Sequence, residues 1–277
     1  MIPATFDYLR ADNGDAALAA LAEHGDEAKL LAGGQSLLPL MKLRLATPAV
    51  LVDVSRARDL AYVRREGDAI AIGALTRHCD VARDETVQSE LPMLAHVASL
   101  VGDPQVRHRG TIGGSVAHSD PSADLPTALL ALDASYVVRG PGGERVVAAT
   151  DFATGFLESV LEPDELLTEV RVPVGVSGWG YEKFTRRAID WATVAVAVAR
   201  RGSQTSVALA NMGATVLRAS AVEAALASGA SASDAAQLAD EGTEPGTDVT
   251  ASADYRRHLS RVLTGRALAA SDLARVG

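Results

Sequence analysis

The sequence predicts a mixed fold, α/β or α+β in its opening, and three observations carry that prediction. Helix and strand signals alternate through residues 12–54, a glycine-rich break between two strand-forming runs marks a hairpin at 136–147, and a Gly/Ser-rich stretch at 175–180 precedes a change of texture. The chain of 277 residues is long enough for one to two domains and a substantial core, and a boundary falls near Gly175, dividing it into 1–175 and 176–277.

The elements follow from local signals. Residues 12–24 are rich in Ala and Leu behind Asp12 and Asn13, a capped helix, and 28–32 form a short buried strand that Gly33-Gly34 breaks. Helical spacing resumes over 36–45 with Leu37, Leu40, Met41 and Leu45 apolar, Pro48 ends it, and 50–54 is a second strand. The stretch 58–73 is strand-rich, with 69–72 following the turn Glu66-Gly67-Asp68; 91–101 and 123–132 are helices. The segment 103–121 between them has loop character. Gly140-Pro141-Gly142-Gly143 joins the strands 136–139 and 144–147 as a hairpin. In the last third, 194–198 and 206–210 read as strands, 219–227 and 255–263 as helices, and the acidic stretch 234–254 as a solvated loop around a short helix.

Composition excludes several functions. With 26 Lys+Arg against 35 Asp+Glu the net charge is −9, the wrong sign for holding a nucleic-acid backbone, so any phosphate must be gripped locally. Cys79 is the only cysteine, which rules out an internal disulfide and a cysteine-held iron–sulfur cluster built from this chain alone. The N-terminus, Ile2-Pro3-Ala4-Thr5-Phe6-Asp7, lacks the basic-then-apolar pattern of a secretory signal, and no apolar run reaches the ~18 residues of a membrane span, so a cytoplasmic protein without a transmembrane segment is expected. The six histidines have no H-E-x-x-H spacing and no thiolate company, so no metal site is expected, and Ser115, His118 and Asp120 lack the G-x-S-x-G context of a hydrolytic triad.

The informative feature is a pair of similar breaks, Ala32-Gly33-Gly34-Gln35-Ser36 and Thr111-Ile112-Gly113-Gly114-Ser115. Glycine permits positive φ and lets a ligand reach main-chain N–H groups with no Cβ in the way; where such a turn leads into a helix, free donors and the positive dipole end favour a phosphate. Two such loops suit two adjoining phosphates. A side chain at Gly34 or Gly113 would then fill the space of a diphosphate. G-x-x-x-x-G-K-S/T and a strand-linked G-x-G-x-x-G are absent, which disfavours a P-loop or Rossmann site.

The runs Leu30-Leu31-Ala32-Gly33-Gly34-Gln35-Ser36-Leu37, Asp103 through Ser115, Asp120-Pro121-Ser122-Ala123-Asp124 and Tyr181-Glu182-Lys183-Phe184 resemble the FAD-binding subunits of the molybdenum hydroxylases, the xanthine dehydrogenase family, and within it the aerobic carbon monoxide dehydrogenase branch. The resemblance spans nearly the whole chain. It implies an α+β protein: a PCMH-type FAD-binding domain of two α/β subdomains, then a C-terminal domain with a small antiparallel sheet and helices, with FAD between them. Leu30, Leu31, Ala32, Gly33, Gly34, Gln35, Ser36 and Leu37 with Thr111, Ile112, Gly113, Gly114 and Ser115 would cradle the diphosphate. Val101 would pack near the cofactor, Asp124 would be a polar contact, Leu167 and Trp191 would lie by the ring system, and Lys183 would reach it from the second domain. The branch often has His where Gln35 stands and Tyr where Trp191 stands.

The resemblance further implies an oxidoreductase subunit that relays electrons from a small iron–sulfur subunit, itself served by a large molybdenum-cofactor subunit, through FAD to an external acceptor, quinone or NAD. The alternatives are a self-sufficient PCMH-type flavoenzyme and a non-catalytic nucleotide-binding module. Taken singly, the residues have plainer readings: Lys183 as a solvated charge, Asp124 as a helix N-cap, Trp191 as core beside an apolar strand, and Arg107-His108-Arg109 as a solvated basic loop.

Overall fold

A computed structural model describes residues 2–273. The chain opens with a three-stranded parallel sheet in the order Asp7–Arg10, Val50–Asp53, Ala28–Leu31. Parallel neighbours need crossovers, and the helices Gly14–His24 and Leu37–Lys42 lie in them. Asn13 caps the first, accepting the Ala16 N–H at 2.8 Å, and Ala17 and Leu21 on its buried face pack with Val52 and Val54. The second helix is shorter than the apolar spacing over 36–45 predicts. Arg44 takes φ +59° and the N–H groups of Leu45 and Ala46 fold back to the Leu40 carbonyl, so the helix closes before Leu45 can join it.

A five-stranded antiparallel sheet follows, in the order Val63–Glu66, Ala69–Gly73, Leu166–Pro173, Ser135–Gly140, Gly143–Ala148. Its hairpin is the glycine-rich one, with Gly140 paired to Gly143. The helices Pro92–Leu100 and Asp124–Ala131 supply Leu94, Leu125 and Leu129, all with no exposed surface, to the core shared with Ile70, Ile72 and Val170 of this sheet. The segment 103–121 is not a plain loop: it holds the short helices Pro104–Arg107 and Ile112–His118. Asp103 caps the first by accepting the Val106 N–H at 2.9 Å, and Thr111 caps the second. Glycine richness masked both caps. The Arg107 guanidinium is likewise no free surface charge, since it donates to the carbonyls of Val101 and Gly102 at 3.0 and 2.9 Å.

The last third forms a four-stranded antiparallel sheet, Gly178–Phe184, Val194–Arg201, Gln204–Ala210 and Leu217–Arg218 in that order. Side chains alternate between its faces with period two. Val194, Val196 and Val198 face the long helix Ala253–Leu273, while Ala195, Ala197 and Ala199 belong to the core built around Asp124–Ala131. The small alanines let that helix approach. That last helix is much longer than 255–263, and Gly180 is where it lies against the sheet: a Cβ there would stand 2.1 Å from the Ala267 carbonyl oxygen. The acidic stretch 234–254 is largely exposed over 241–250, as expected, but it is anchored at two points, where Arg261 pairs with Asp240 at 2.6 Å and buried Arg256 pairs with Asp248 at 2.7 Å. Its short helix, Ala232–Ala236, sits at the start of the stretch.

Gly180→Ala is expected to destabilise the chain by about 1–3 kcal/mol through main-chain overpacking, read as a lowered denaturation midpoint, whereas Gly202→Ala, at φ +60° in an open turn, should cost about 1 kcal/mol.

Candidate functional site

The first loop, 32–36, leaves the carboxyl end of the Ala28–Leu31 strand, the edge at which open α/β sheets place ligands. The second, 111–115, is held against the five-stranded sheet's flank by an antiparallel bridge between Arg77 and Thr111. The two loops touch. A Cβ at Gly33 would stand 2.2 Å from the Arg109 carbonyl oxygen and 2.8 Å from the Gly110 Cα, so only glycine lets the first loop lie on the chain entering the second.

Together they floor one cleft of about 910 Å³, a volume suited to a large cofactor. Leu30, Ala32, Gly33, Gly34, Gln35, Ser36 and Leu37, with Thr111, Gly113, Gly114 and Ser115, face it, as do Val101, Asp124, Leu167 and Trp191. Leu31, Ile112 and Lys183 stand behind the wall: Leu31 is paired with Asp53 in the sheet, Ile112 is fully buried, and Lys183 is bonded to Asp124.

The glycines serve the chain differently from the sequence expectation. A Cβ at Gly113 would meet Ala74, at 2.4 Å from its Cβ and 2.7 Å from its carbonyl oxygen, and one at Gly34 would meet Leu38 at 2.9 Å. Gly34 also has φ +73°. Both are demanded by the protein's own backbone, not by open space kept for a ligand. The donors are unequal too. Ile112, Gly113 and Ser115 donate their N–H groups to Thr76, Ala74 and Thr111 carbonyls, and Gly114 donates to Thr111 Oγ1 at 3.2 Å, so the second loop is turned inward. In the first loop the N–H groups of Gly33, Gly34, Gln35 and Ser36 have no protein acceptor among the described residues. That run of orphan donors is what an anion needs.

The charged side chains on the cleft are otherwise acidic, Asp26, Asp120, Asp124, Glu158, Glu162, Glu165 and Asp190, and Lys29 is the only lysine or arginine among the described residues that face it. His78 and His118 also face it. Burial, helped by Arg107, pushes the His78 imidazole down to about 4, and burial lowers His118, so neither adds positive charge at neutral pH. The positive groups on the cleft among the described residues are therefore Lys29 and the free main-chain N–H groups of the first loop.

Asp124 is the first residue of the helix Asp124–Ala131 and not its cap. It is 6% exposed and accepts from Tyr181 Oη at 2.6 Å and Lys183 Nζ at 2.8 Å, both on the Gly178–Phe184 strand. Burial raises its carboxyl, and Lys183 and Tyr181 oppose that rise. Removing one partner of such a buried pair costs about 3–5 kcal/mol. Trp191, which the plainer reading put in the core, is 55% exposed at the lip of the cleft, beside Asp190 and an Ile189 that holds φ +62°. Sequence reasoning gave no site role to Tyr181, although it stands in a quoted run, nor to His78, Asp190 or the wall around the Ala153–Gly155 and Glu158–Ser159 hairpin.

Residues 4–175 match the FAD binding domain in molybdopterin dehydrogenase, and 179–271 match the CO dehydrogenase flavoprotein C-terminal domain. The chain belongs to the family of FAD-binding medium subunits of the molybdenum hydroxylases. It is 41% identical over 282 residues to the carbon monoxide dehydrogenase medium chain of Hydrogenophaga pseudoflava, covering 98% of each. It is 39% identical over 281 residues to the 6-hydroxypseudooxynicotine dehydrogenase complex subunit alpha of Paenarthrobacter nicotinovorans, covering 97% of this chain and 95% of that one. The solved carbon monoxide dehydrogenase of Hydrogenophaga pseudoflava that lacks the Mo-pyranopterin moiety contains a chain that superposes with a TM-score of 0.95 at 42% identity, over 99% of this chain and 100% of that one. The cofactor is FAD, and the orphan amides of the first loop fit its diphosphate.

Gly33→Ala is expected to push the loops apart and lower FAD affinity by more than about tenfold, while Gln35→Ala, whose side chain bonds only to the Gly33 carbonyl at 3.3 Å, should change it less than about threefold; equilibrium titration of flavin fluorescence reads both.

Proposed function

We propose that the chain is the electron-relay subunit of a three-part molybdenum hydroxylase in the cytoplasm, joining a small iron–sulfur subunit, fed by a large molybdenum-cofactor subunit, to an external acceptor, quinone or NAD. The observation that carries this reading is the breadth of the relatives. The medium chain of a carbon monoxide dehydrogenase and a subunit of a 6-hydroxypseudooxynicotine dehydrogenase complex match this chain at 41% and 39% identity over nearly all of its length, although the substrates in their names share no chemistry. A chain that matches both about equally well is not the part that tells one substrate from the other. The same reading divides the chain into 1–175 and 176–277, and no described helix is long and apolar enough to cross a membrane.

Bound FAD supplies acceptance of two electrons and their release one at a time, which links one-electron carriers to a two-electron acceptor. This chain's part is to hold, orient and shield. The free N–H groups of Gly33, Gly34, Gln35 and Ser36 would take the diphosphate, with Ser115 at the adjoining loop. Leu167 in the wall and Trp191 at the lip offer the apolar and aromatic surface that a ring system needs, Val101 would add to it from the same cleft, and Asp124 would be a polar contact from the start of the helix Asp124–Ala131. Lys183 acts on the cleft by way of Asp124. Cys79, buried at 7% exposure, supports the same division of labour, since the clusters belong to a chain with more thiolates.

Main-chain donors, unlike surface lysines, are little screened by salt. FAD affinity of the purified chain should therefore fall less than about threefold between low and high salt; a loss of tenfold or more would mean that side-chain cations hold the diphosphate. Co-expressed with the neighbouring subunits, the chain should co-purify with them, and substrate should bleach the flavin colour only in that complex. Full turnover by the isolated chain would instead establish the self-sufficient flavoenzyme.

A further inference from the structure

We propose that Tyr181 is a positioning residue for the cofactor cleft, and that it acts jointly with Lys183 on FAD through the Asp124 carboxylate. The inference rests on the FAD reading above and adds to it how one wall of the cleft is set. Tyr181 and Lys183 are two residues apart on the Gly178–Phe184 strand, so they share a face. Tyr181 Oη donates to Asp124 Oδ1 at 2.6 Å, and Lys183 Nζ donates to Asp124 Oδ2 at 2.8 Å. Each carboxylate oxygen is thus engaged from behind, and neither of the two partners faces the cleft, whereas Asp124 does.

An ionised carboxylate accepts about four hydrogen bonds, so Asp124 keeps capacity on its cleft side for the hydroxyl and N–H donors that FAD carries. Two fixed partners at different oxygens leave the carboxylate one orientation. They also oppose the rise that burial gives its carboxyl, in the first turn of a helix whose dipole favours negative charge. The charged and titratable groups around it are Lys183 and Tyr181 from the strand, Asp120 from the preceding turn, which raises the Asp124 carboxyl, and His118 at the end of the neighbouring helix, which burial keeps neutral at pH 7. Tyr181 itself remains a donor, because burial and Asp124 push its phenol far above the usual range. Loss of the Tyr181 hydroxyl removes one support of the charged form, so Asp124 takes up a proton at higher pH and loses its fixed orientation. Protonation turns one of the acceptor positions of Asp124 into a donor and removes the charge that strengthens the others.

The test is FAD affinity of the full-length purified chain, titrated by flavin fluorescence from pH 8 to pH 5. The wild type should lose affinity on acidification. Tyr181→Phe, which keeps the ring in the core, should bind about three- to tenfold more weakly at pH 8 and move the midpoint of the acid loss upward. Lys183→Gln should move it further up, Asp120→Asn should move it down, and Asp124→Asn should bind weakly with a flat profile. If Tyr181→Phe does not fold, the Lys183→Gln and Asp120→Asn shifts of opposite sign carry the same test. A wild type that fails to take up FAD at pH 8 overturns the FAD reading itself; a wild type that binds, with the folded variants tracing its profile, overturns only the positioning role.

Discussion

The cleft depends on a contact between two stretches of main chain. Gly33 lies so close to the Arg109 carbonyl and Gly110 Cα that no Cβ could intervene, and Gly113 lies equally close to Ala74. These approaches weld a loop of the parallel sheet to a loop on the flank of the antiparallel one. Neither sheet alone has a floor for a ligand. Once joined, the loops divide their tasks: the second spends its amides on Thr76, Ala74 and Thr111 and becomes a rigid base, and the first leaves its amides free over that base. Rigidity in one loop and unsatisfied polarity in the other are two sides of the same construction, because orphan donors are tolerable only where a ligand or water can reach them.

An acidic protein with an acidic cleft holding an anionic cofactor is less paradoxical on these terms. Long-range repulsion between exposed carboxylates and a diphosphate is screened within about 10 Å, whereas a hydrogen bond from an oriented amide to a charged oxygen is worth about 1.5–3 kcal/mol and needs no mobile side chain to be ordered. Negative charge along the remaining walls also selects against second anions. Asp124 is the exception that proves costly to bury, and the C-terminal sheet meets that cost with Lys183 and Tyr181. The alternation of valine and alanine along Val194–Arg201 makes this possible, since the alanine face lets the helix bearing Asp124 come close to the strands that carry its partners.

The relatives that match this chain over nearly all of its length carry substrates of unlike chemistry in their names, at nearly equal identity to it. Trp191 and Ile189 are exposed and face the cleft, and Phe156 is exposed next to Leu157, which also faces it.

The paired glycine loops, the helix at 12–24, the hairpin at 136–147, the strands at 194–198 and 206–210 and the acidic charge were all legible before any coordinates, because each depends on neighbours close in sequence or on composition. The family was legible too, since its motifs are short contiguous strings. What lay beyond reach was long-range. Whether a glycine spares room for a ligand or for a distant backbone, as at Gly113 against Ala74, depends on a partner dozens of residues away. The extension of the last helix from 263 to Leu273 brings Ala267 and Ser271 against Gly180 and Gly178, a contact that the helix's own sequence does not announce. Asp124 reads locally as a cap and Lys183 as a surface charge; only tertiary structure, by bringing a helix against a strand some sixty residues later, turns them into one buried pair at |i−j| = 59. Local rules determine which elements form and which groups lack partners, and the fold alone determines which of those groups then face each other, because a through-space contact leaves no periodicity in the chain.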